Sequence, residues 1–595
     1  MCGIAGTFSR AGPKVDRDEL LAMRDAMRAR GPDGEGLWLS GTGDAGLAHR
    51  RLAIIDLSDA AAQPMTRGRH IIVFNGEIYN YRALRAEMEA RGHVFRTHSD
   101  TEVILVLYAE HGPAMLSRLR GMYAFALYDT EARQLFLARD PFGIKPLYWA
   151  DDGHTFRFAS QVKALLKADV DTRPEPAGHV GFFLWGSVPE PWTLYRGIRG
   201  LPAGHWMRVD ANGPREPVPF ASVTGLLSEA VGQPSRLDPR QALEALSAAI
   251  GDSVAAHLEA DVPVGVFLSA GLDSTLLAAE VAATGRRPQT VTLGFDEYAG
   301  TDDDEVPLAE TVAGKIRADH ITRRVSRGDF ESGRDGLLAA MDQPSLDGVN
   351  TWFVARAAAS RGLKVALSGL GGDEMFASYA TFRDLPRVAS VFRYPARIPG
   401  LGKTFRFLTA ALAARFTSPK YAGLFEYGGS LGGVYLLRRG LYAPWELPHV
   451  LDPDMAGEGW RKLETCARLE ATSEGVSDTR LSVSALEMCW YMRNQLLRDS
   501  DWAGMAHSLE IRVPLVDWTL LAIAAPVFAA HPALAKREVV AAAAPELPAT
   551  LFARPKTGFS VPVHQWIRDR SMPGERGMRG WARQVYGRFT QGHSP

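Results

Sequence analysis

Val262-Pro-Val-Gly-Val-Phe-Leu268 runs directly into Ser269-Ala-Gly-Leu-Asp-Ser274, and a helical pattern begins at about Thr275. A short apolar run that ends in small residues and a helix start reads as a buried strand of a parallel sheet. The loop offers backbone N–H groups, serine hydroxyls and a helix N-terminus, which together suit an anion. It is not a Walker loop, because no Gly-Lys-Ser/Thr follows. A plain small-residue turn is the competing reading of these six residues alone.

The pattern repeats outward. Ala242 to Ala260 is helical, with Leu243, Leu246, Ile250, Val254 and Leu258 on one face. Thr275 to Ala283 is a helix, Thr290 to Phe295 a strand, Trp352 to Ser360 a helix and Val365 to Leu367 a strand. That last strand ends in a second glycine loop, Ser368-Gly-Leu-Gly-Gly-Asp-Glu-Met-Phe376. Strand–helix alternation predicts an α/β, doubly wound parallel sheet. Additional helices are expected from about Ala380 onward. Residues 390–470 carry no legible motif, although Gly400 to Arg415 reads as an amphipathic helix, with membrane-surface contact as its lesser reading.

The N-terminal part has a different texture. Asp16 to Arg30 is helical with a Gly31-Pro32 stop, His70 to Phe74 is an apolar run, and Gly121 to Asp129 with Gln134 to Asp140 reads as a hairpin. This predicts antiparallel sheet with packed helices, an α+β sandwich. Asn212-Gly-Pro, Gly232-Gln-Pro and Asp238-Pro lie in a stretch without period. The expected division is a domain at 1–210, a linker at 211–240 and a second domain at 241–595.

Bulk properties narrow the class. The chain has 595 residues, 46% hydrophobic and 23% charged, with a net charge of -1. That is ordinary for a soluble globular protein and offers no global attraction to nucleic acid or to an anionic surface. No apolar run approaches the roughly 20 residues of a membrane span, so no membrane insertion is expected. The three cysteines, Cys2, Cys466 and Cys489, form neither a disulfide framework nor a zinc spacing, which fits the cytoplasm. The first residues lack a secretory leader pattern.

Cys2 follows Met1 and precedes Gly3. Removal of Met1 would leave a cysteine whose own α-amine, with a reference pKa of about 7.7–8.0, can serve as base for its thiol. A structural cysteine is the competing reading. Six segments follow in order: Arg30-Gly-Pro-Asp-Gly34, His49-Arg-Arg-Leu-Ala-Ile-Ile-Asp56, Gln63-Pro-Met65, Phe74-Asn-Gly-Glu-Ile-Tyr-Asn80, Ser99-Asp-Thr-Glu102 and Arg139-Asp-Pro-Phe-Gly-Ile-Lys-Pro-Leu-Tyr148.

Over roughly residues 1–200 the chain resembles the glutaminase domain of class II glutamine amidotransferases, closely that of glutamine-dependent asparagine synthetases. The resemblance implies a fold of N-terminal-nucleophile hydrolase type. It implies Cys2 as nucleophile, Asn75 and Gly76 as the oxyanion hole, Arg51 on the α-carboxylate of glutamine, Asp100 on its α-ammonium and Glu77 at its amide end. Each has a plainer alternative. Asn75-Gly76 is a strong type I′ hairpin signal. Ser99-x-x-Glu102 is a capping-box pattern. A lone Arg51 suits a solvated surface.

The first loop resembles the pyrophosphate loop of ATP pyrophosphatases, Ser-Gly-Gly-Leu-Asp-Ser, with Ala270 in place of its first glycine. The resemblance implies a fold of adenine-nucleotide hydrolase type that binds ATP through Leu268, Ser269, Gly271, Leu272, Asp273, Ser274, Leu293, Ser368 and Gly369. Asp273 and Asp373 would hold Mg2+, which favours carboxylate and phosphate oxygens. Leu268 and Leu293 would border the adenine, although apolar strand ends explain them equally, and Asp373-Glu374 also suits a helix start. Arg554-Pro-Lys-Thr-Gly-Phe559 matches the family's lysine segment, with Lys556 stabilising transition-state charge. Arg498 to Asp517 also matches and reads as architectural.

Two departures bear on the acceptor. Leu370 stands where asparagine synthetases usually carry Glu, and Gln343-Pro-Ser-Leu-Asp-Gly-Val-Asn-Thr-Trp352 differs from their acceptor segment. Losing one polar partner can cost about 1–3 kcal/mol, enough to change the preferred acceptor. Asp347, Asn350 and Thr351 are the acceptor candidates. The expected function is a glutamine-hydrolysing, AMP-forming amide ligase acting on glutamine, ATP and a carboxylate. Aspartate is the first acceptor, and the alternative is a uronic acid or natural-product acid. A non-catalytic nucleotide or glutamine sensor is less favoured, and a homodimer is compatible with the sequence.

Overall fold

Residues 2–10, 14–416, 418–553, 561–566 and 578–590 are described by the structure, a computed structural model of the chain. The strands before residue 220 are β1 (Gly3–Ser9), β2 (Gly34–Leu39), β3 (Ala45–Arg51), β4 (Met65–Arg67), β5 (His70–Ile78), β6 (Gly121–Asp129), β7 (Gln134–Arg139), β8 (Tyr148–Asp151), β9 (Thr155–Ala159), β10 (Ile198–Gly200), β11 (His205–Asp210), β12 (Gly213–Pro214) and β13 (Val218–Pro219). They form two antiparallel sheets, β10-β8-β9-β1-β3-β2 and β12-β11-β7-β6-β5-β4, with β13 added to β11.

The period of two sets the layers. On β5, Ile71 and Val73 meet Ile4 and Phe8 of β1 and Ala124 and Ala126 of β6 between the sheets. Ile72, Phe74 and Ile78 instead meet Val103, Ile104 and Leu107 of the helix Asp100–His111 on the outside. On the other face Ala5 packs with Leu20 and Met23 of the helix Arg17–Asp25. The result is helix, sheet, sheet, helix: the expected α+β sandwich. The expected hairpin is present as β6 and β7, paired from Ala124 opposite Arg139 to Asp129 opposite Gln134.

The turn alternative at Asn75-Gly76 is overturned. Both residues lie inside β5, Asn75 opposite Ala124 and Gly76 opposite Tyr123. β6 supplies a partner along the whole of β5, so the chain has no reason to turn there. Gly76 is needed for close approach, since a Cβ there would sit 2.2 Å from the Met122 carbonyl oxygen.

In the second half β14 (Val264–Phe267), β15 (Gln289–Phe295), β16 (Asp319–Val325), β17 (Val365–Leu367) and β18 (Glu510–Arg512) form a wholly parallel sheet, ordered β16-β15-β14-β17-β18. The helices Pro239–His257, Leu272–Ala283 and Trp518–Ala530 bury one face, and Arg327–Ala340 and Val349–Ser360 the other. This is the expected doubly wound arrangement. β16 and β18 escape a hydrophobic pattern, because the first is a polar edge strand and the second is Glu-Ile-Arg. Strand order reverses between β14 and β17, so their C-terminal ends flank a crevice where ligands of such sheets bind.

The segment 211–240, expected as a linker, holds β12, β13 and the helix Val223–Gly232. Val223, Leu227 and Ala230 of that helix are buried in the same cluster as Leu520 and Ala524.

Candidate functional site

β1 begins beside Cys2, which is buried and free of any disulfide. Its backbone N–H donates to Asn75 Oδ1 at 3.0 Å, so the strand β5 carries Asn75 to Cys2. The Asn75 Nδ2 is buried and has no protein partner among the described residues. An unpaired buried donor is costly unless something else accepts from it. Its place beside Cys2 suits a developing oxyanion. Burial pushes the Cys2 thiol up, although the amino-terminal charge and the Leu52 backbone N–H work against it.

Asp100 opens the helix Asp100–His111 and is 4% exposed. Its Oδ2 accepts the Ile78 N–H at 3.0 Å, which ties it to the end of β5. Burial nevertheless pushes its carboxyl up to about 6. The reciprocal capping box is not formed. Ser99 Oγ accepts from the Thr101 N–H, and the Glu102 carboxylate takes the N–H groups of Arg96 and Thr97 instead. Arg51 ends β3 and donates to the carbonyl oxygens of Asp56 and, at 2.8 Å, Ser58. Asp56 in turn accepts the His98 N–H at 2.7 Å, so the Arg51 loop and the Asp100 helix start share one rim.

Charges from the second half pack against these residues. Arg30 is 1% exposed; its Nε donates to the Cys2 carbonyl at 3.0 Å, and its two terminal nitrogens donate to Asp501 at 2.6 and 3.0 Å. Asp501 lies on the helix Arg498–Met505. Arg512 of β18 sits 3.5 Å from Glu77 and 2.6 Å from Glu510. Burial, then Glu510, push the Glu77 carboxyl well above its usual range. The 498–517 segment, expected to be architectural in the second half, therefore also supports the surroundings of Cys2.

At the crevice between β14 and β17 the two small-residue loops interlock. Ser269 and Ser274 hydroxyls lie 2.9 Å apart, and the Ser269 and Gly271 N–H groups donate to Ser274 Oγ and Ser269 Oγ at 3.0 and 3.1 Å. Leu272 begins the helix Leu272–Ala283, whose first turn has no side-chain cap. Gly369 and Gly372 press on Asp273: a Cβ would lie 2.7 Å from the Asp273 Cβ at the first and 2.2 Å from its Oδ1 at the second. Ser368 donates its N–H to the Arg512 carbonyl at 2.8 Å. Asp273 and Asp373 converge on one ammonium, that of Lys536, which is 2.7 Å from Asp373. Leu268 and Leu293 are buried in clusters on opposite faces of the sheet. Lys556 and the rest of 554–559 lie outside the described residues.

Residues 1–219 match the family of glutamine amidotransferase domains, and residues 245–576 match the asparagine synthase family. A putative glutamine-hydrolysing asparagine synthetase of Mycobacterium tuberculosis is 34% identical over 626 residues, covering 100% of this chain and 91% of the relative. Glutamine-hydrolysing asparagine synthetase 1 of Bacillus subtilis is 29% identical, covering 98% and 90%, and asparagine synthetase B of Escherichia coli is 34% identical, covering 67% and 68%. The chain belongs to the asparagine synthetase family.

In this asparagine synthetase family member Asp347, one of the residues expected at the acceptor, is held by a partner remote in the chain. Leu370 packs against the apolar cluster around the helix Leu272–Ala283. Asn350 turns back on its own backbone and accepts the Thr351 N–H at 2.8 Å. Asp347 accepts from the Tyr491 hydroxyl at 3.2 Å. Tyr491 and Tyr379 stand on the Arg439 guanidinium, with centroids 4.1 and 4.6 Å away, a favourable cation–π arrangement. Buried Glu487 holds the same Arg439 at 3.0 Å. Tyr379 donates to Glu374 at 2.9 Å, and burial followed by Asp373 pushes the Glu374 carboxyl up to about 7.

Sequence reasoning missed Lys536, Glu374, Tyr379, Arg439 and Tyr491. Nothing around Lys536 or Arg439 marks them, since each acts through contacts more than forty residues away in the chain.

Two outcomes follow from this geometry. Asp501→Ala strands the buried Arg30 guanidinium, so it should cost about 3–5 kcal/mol of stability and slow glutamate release; thermal unfolding and a glutaminase assay check both. An ionised Asp100 is the form that meets an ammonium. With its carboxyl raised to about 6, KM for glutamine should rise as pH falls through that value, and a KM–pH profile that stays flat down to pH ~5 would exclude the role.

Proposed function

We propose that this chain is a glutamine-hydrolysing, AMP-forming amide ligase. Two features carry the reading. Asp273 and Asp373 converge on one cation position at the strand-order reversal, and the other half of the chain presents Cys2 to the unpartnered Asn75 amide. The relatives named above support it.

In this reading the α-amine of Cys2, freed by loss of Met1, takes the thiol proton. The thiolate attacks the carboxamide carbon of glutamine, and Asn75 Nδ2 with the Gly76 N–H stabilises the oxyanion. Ammonia leaves, and water cleaves the thioester to glutamate. Arg51 and Asp100 hold the α-carboxylate and α-ammonium. In the second site the acceptor carboxylate attacks the α-phosphorus of ATP, and pyrophosphate leaves. Ammonia then displaces AMP from the acyl-adenylate. The uncapped N-terminus of the helix Leu272–Ala283 and the Ser269 and Ser274 hydroxyls face the pyrophosphate, and Lys536 with Lys556 supplies positive charge.

The carboxylates fit Mg2+. Lys536 stands where they converge, and Mg2+ would draw its remaining oxygen ligands from phosphate and water. When bound, it would neutralise phosphate charge.

Aspartate is the first acceptor to test. The alternative, a uronic acid or natural-product acid, is tested beside it, because Leu370 supplies no polar partner to an acceptor. No described helix is long and apolar enough to cross a membrane, and the free cysteines suit a cytoplasmic reaction.

Cys2→Ala should abolish amide formation from glutamine and retain it from ammonium; loss of both would argue against separate sites. Pyrophosphate release across a panel of carboxylates, aspartate first, identifies the acceptor, and release with none would sink the coupled reading. We place Glu374 as the titrating group nearest the acceptor, so Glu374→Gln should slow amide formation by about a hundredfold and leave glutamate release unchanged.

A further inference from the structure

Between Asp384 and Glu426 the chain carries seven Lys or Arg and no Asp or Glu, in a protein of net charge -1. The same stretch holds six of the twelve exposed large hydrophobic residues found among the described residues: Val391, Tyr394, Ile398, Phe407, Leu408 and Tyr421. Phe407 is 86% and Tyr394 72% exposed.

The exposure is built in by the packing. The helices Thr381–Phe392 and Leu401–Phe416 both rest on Phe425, whose ring lies 5.1 Å from Phe392 and 4.5 Å from Phe405. Gly402 lies against the backbone of Phe425 and Glu426, and Arg406 pairs with Glu426 at 2.7 Å. These contacts fix which face of the second helix looks inward. Lys403 and Phe407, and Thr404 and Leu408, are i,i+4 neighbours and share the opposite, solvent-facing side. Arg393, Arg397 and Lys403 are exposed and have no carboxylate partner among the described residues.

Isolated exposed apolar residues are ordinary, whereas aromatic and aliphatic residues interleaved with unpaired cations mark an interaction surface. Three kinds of occupant differ in chemistry. A second copy would use the same patch on both partners, as two-fold symmetry requires, and would set cations against cations. A nucleic acid offers phosphates but no hydrocarbon for Leu408, Ile398 and Val391. An anionic bilayer surface offers both headgroup charge and acyl chains, and an amphipathic helix with basic and aromatic residues on its outer side suits it.

We infer that the surface formed by residues 391–408 docks the enzyme on anionic lipid membranes, with Phe407, Leu408 and Tyr394 entering the headgroup layer and Arg393, Arg397 and Lys403 meeting lipid phosphates. The enzyme binds there peripherally and crosses nothing. None of these residues belongs to the glutaminase or nucleotide site, so docking is separable from chemistry.

Co-sedimentation of the full chain with phosphatidylcholine vesicles, and with the same vesicles containing phosphatidylglycerol, tests the inference. Binding is expected to the anionic vesicles only and to weaken at high salt. The triple variant Arg393→Glu, Arg397→Glu, Lys403→Glu should lower the partition coefficient by roughly a hundredfold or more. The pair Phe407→Ser, Leu408→Ser should weaken it at least about tenfold. Both should keep glutaminase activity, which shows that they fold. Equal binding to neutral vesicles, no binding to either, or undiminished binding by both variants overturns the inference. So does a concentration-dependent dimer by light scattering that the Phe407, Leu408 variant abolishes, because the patch then belongs to a second copy.

Discussion

A guanidinium that is almost wholly withdrawn from water must be neutralised and fully hydrogen-bonded, or it costs several kcal/mol. Arg30 meets that constraint by bridging two parts of the chain, the Cys2 carbonyl in the sandwich and the Asp501 carboxylate in the α/β half. The position of Cys2 is thereby set by a helix more than four hundred residues away. Arg512 repeats the arrangement one layer deeper, between Glu77 and Glu510, and donates to the carbonyls of His257 and Glu259. The two halves are joined by paired charges rather than by a purely apolar seam. Such pairing is directional, so it fixes registry between the sites as well as attraction.

The same helix reaches the other site. Asp499, two residues before Asp501, accepts from Ser345 at 2.7 Å and from the Trp502 indole at 2.7 Å. Gly348 lies against Asp499 and Trp502, where a Cβ would come within 2.6 Å of the indole. One short helix therefore touches the 343–352 segment and, through Arg30, the surroundings of Cys2. Its carboxylates face opposite ways and are held by different partners.

Much of the site was legible in the sequence because its parts are contiguous. A strand, a small-residue loop and a helix start in close succession fix where the first small-residue loop lies, and period-two alternation fixes which side of β5 faces the other sheet. The Asn75-Gly76 pair was ambiguous because local turn chemistry and strand pairing compete there, and only the full length of β6 resolves it in favour of the strand. β18 was illegible because Glu510 and Arg512 are charged, and a charged triplet reads as surface until its partners are known.

By itself the sequence determined the two fold classes, the order of the motifs and the residue types at the nucleophile and at both glycine loops, since these depend on neighbours in the chain. Tertiary structure alone decided that Lys536 stands between Asp273 and Asp373, that Arg439 is walled by Tyr379 and Tyr491 beside Asp347, and that Arg30 finds Asp501. Each of these is a charge whose partner is remote in sequence. Its burial is tolerable only because the fold brings that partner within hydrogen-bonding or cation–π distance, and no local pattern records that meeting.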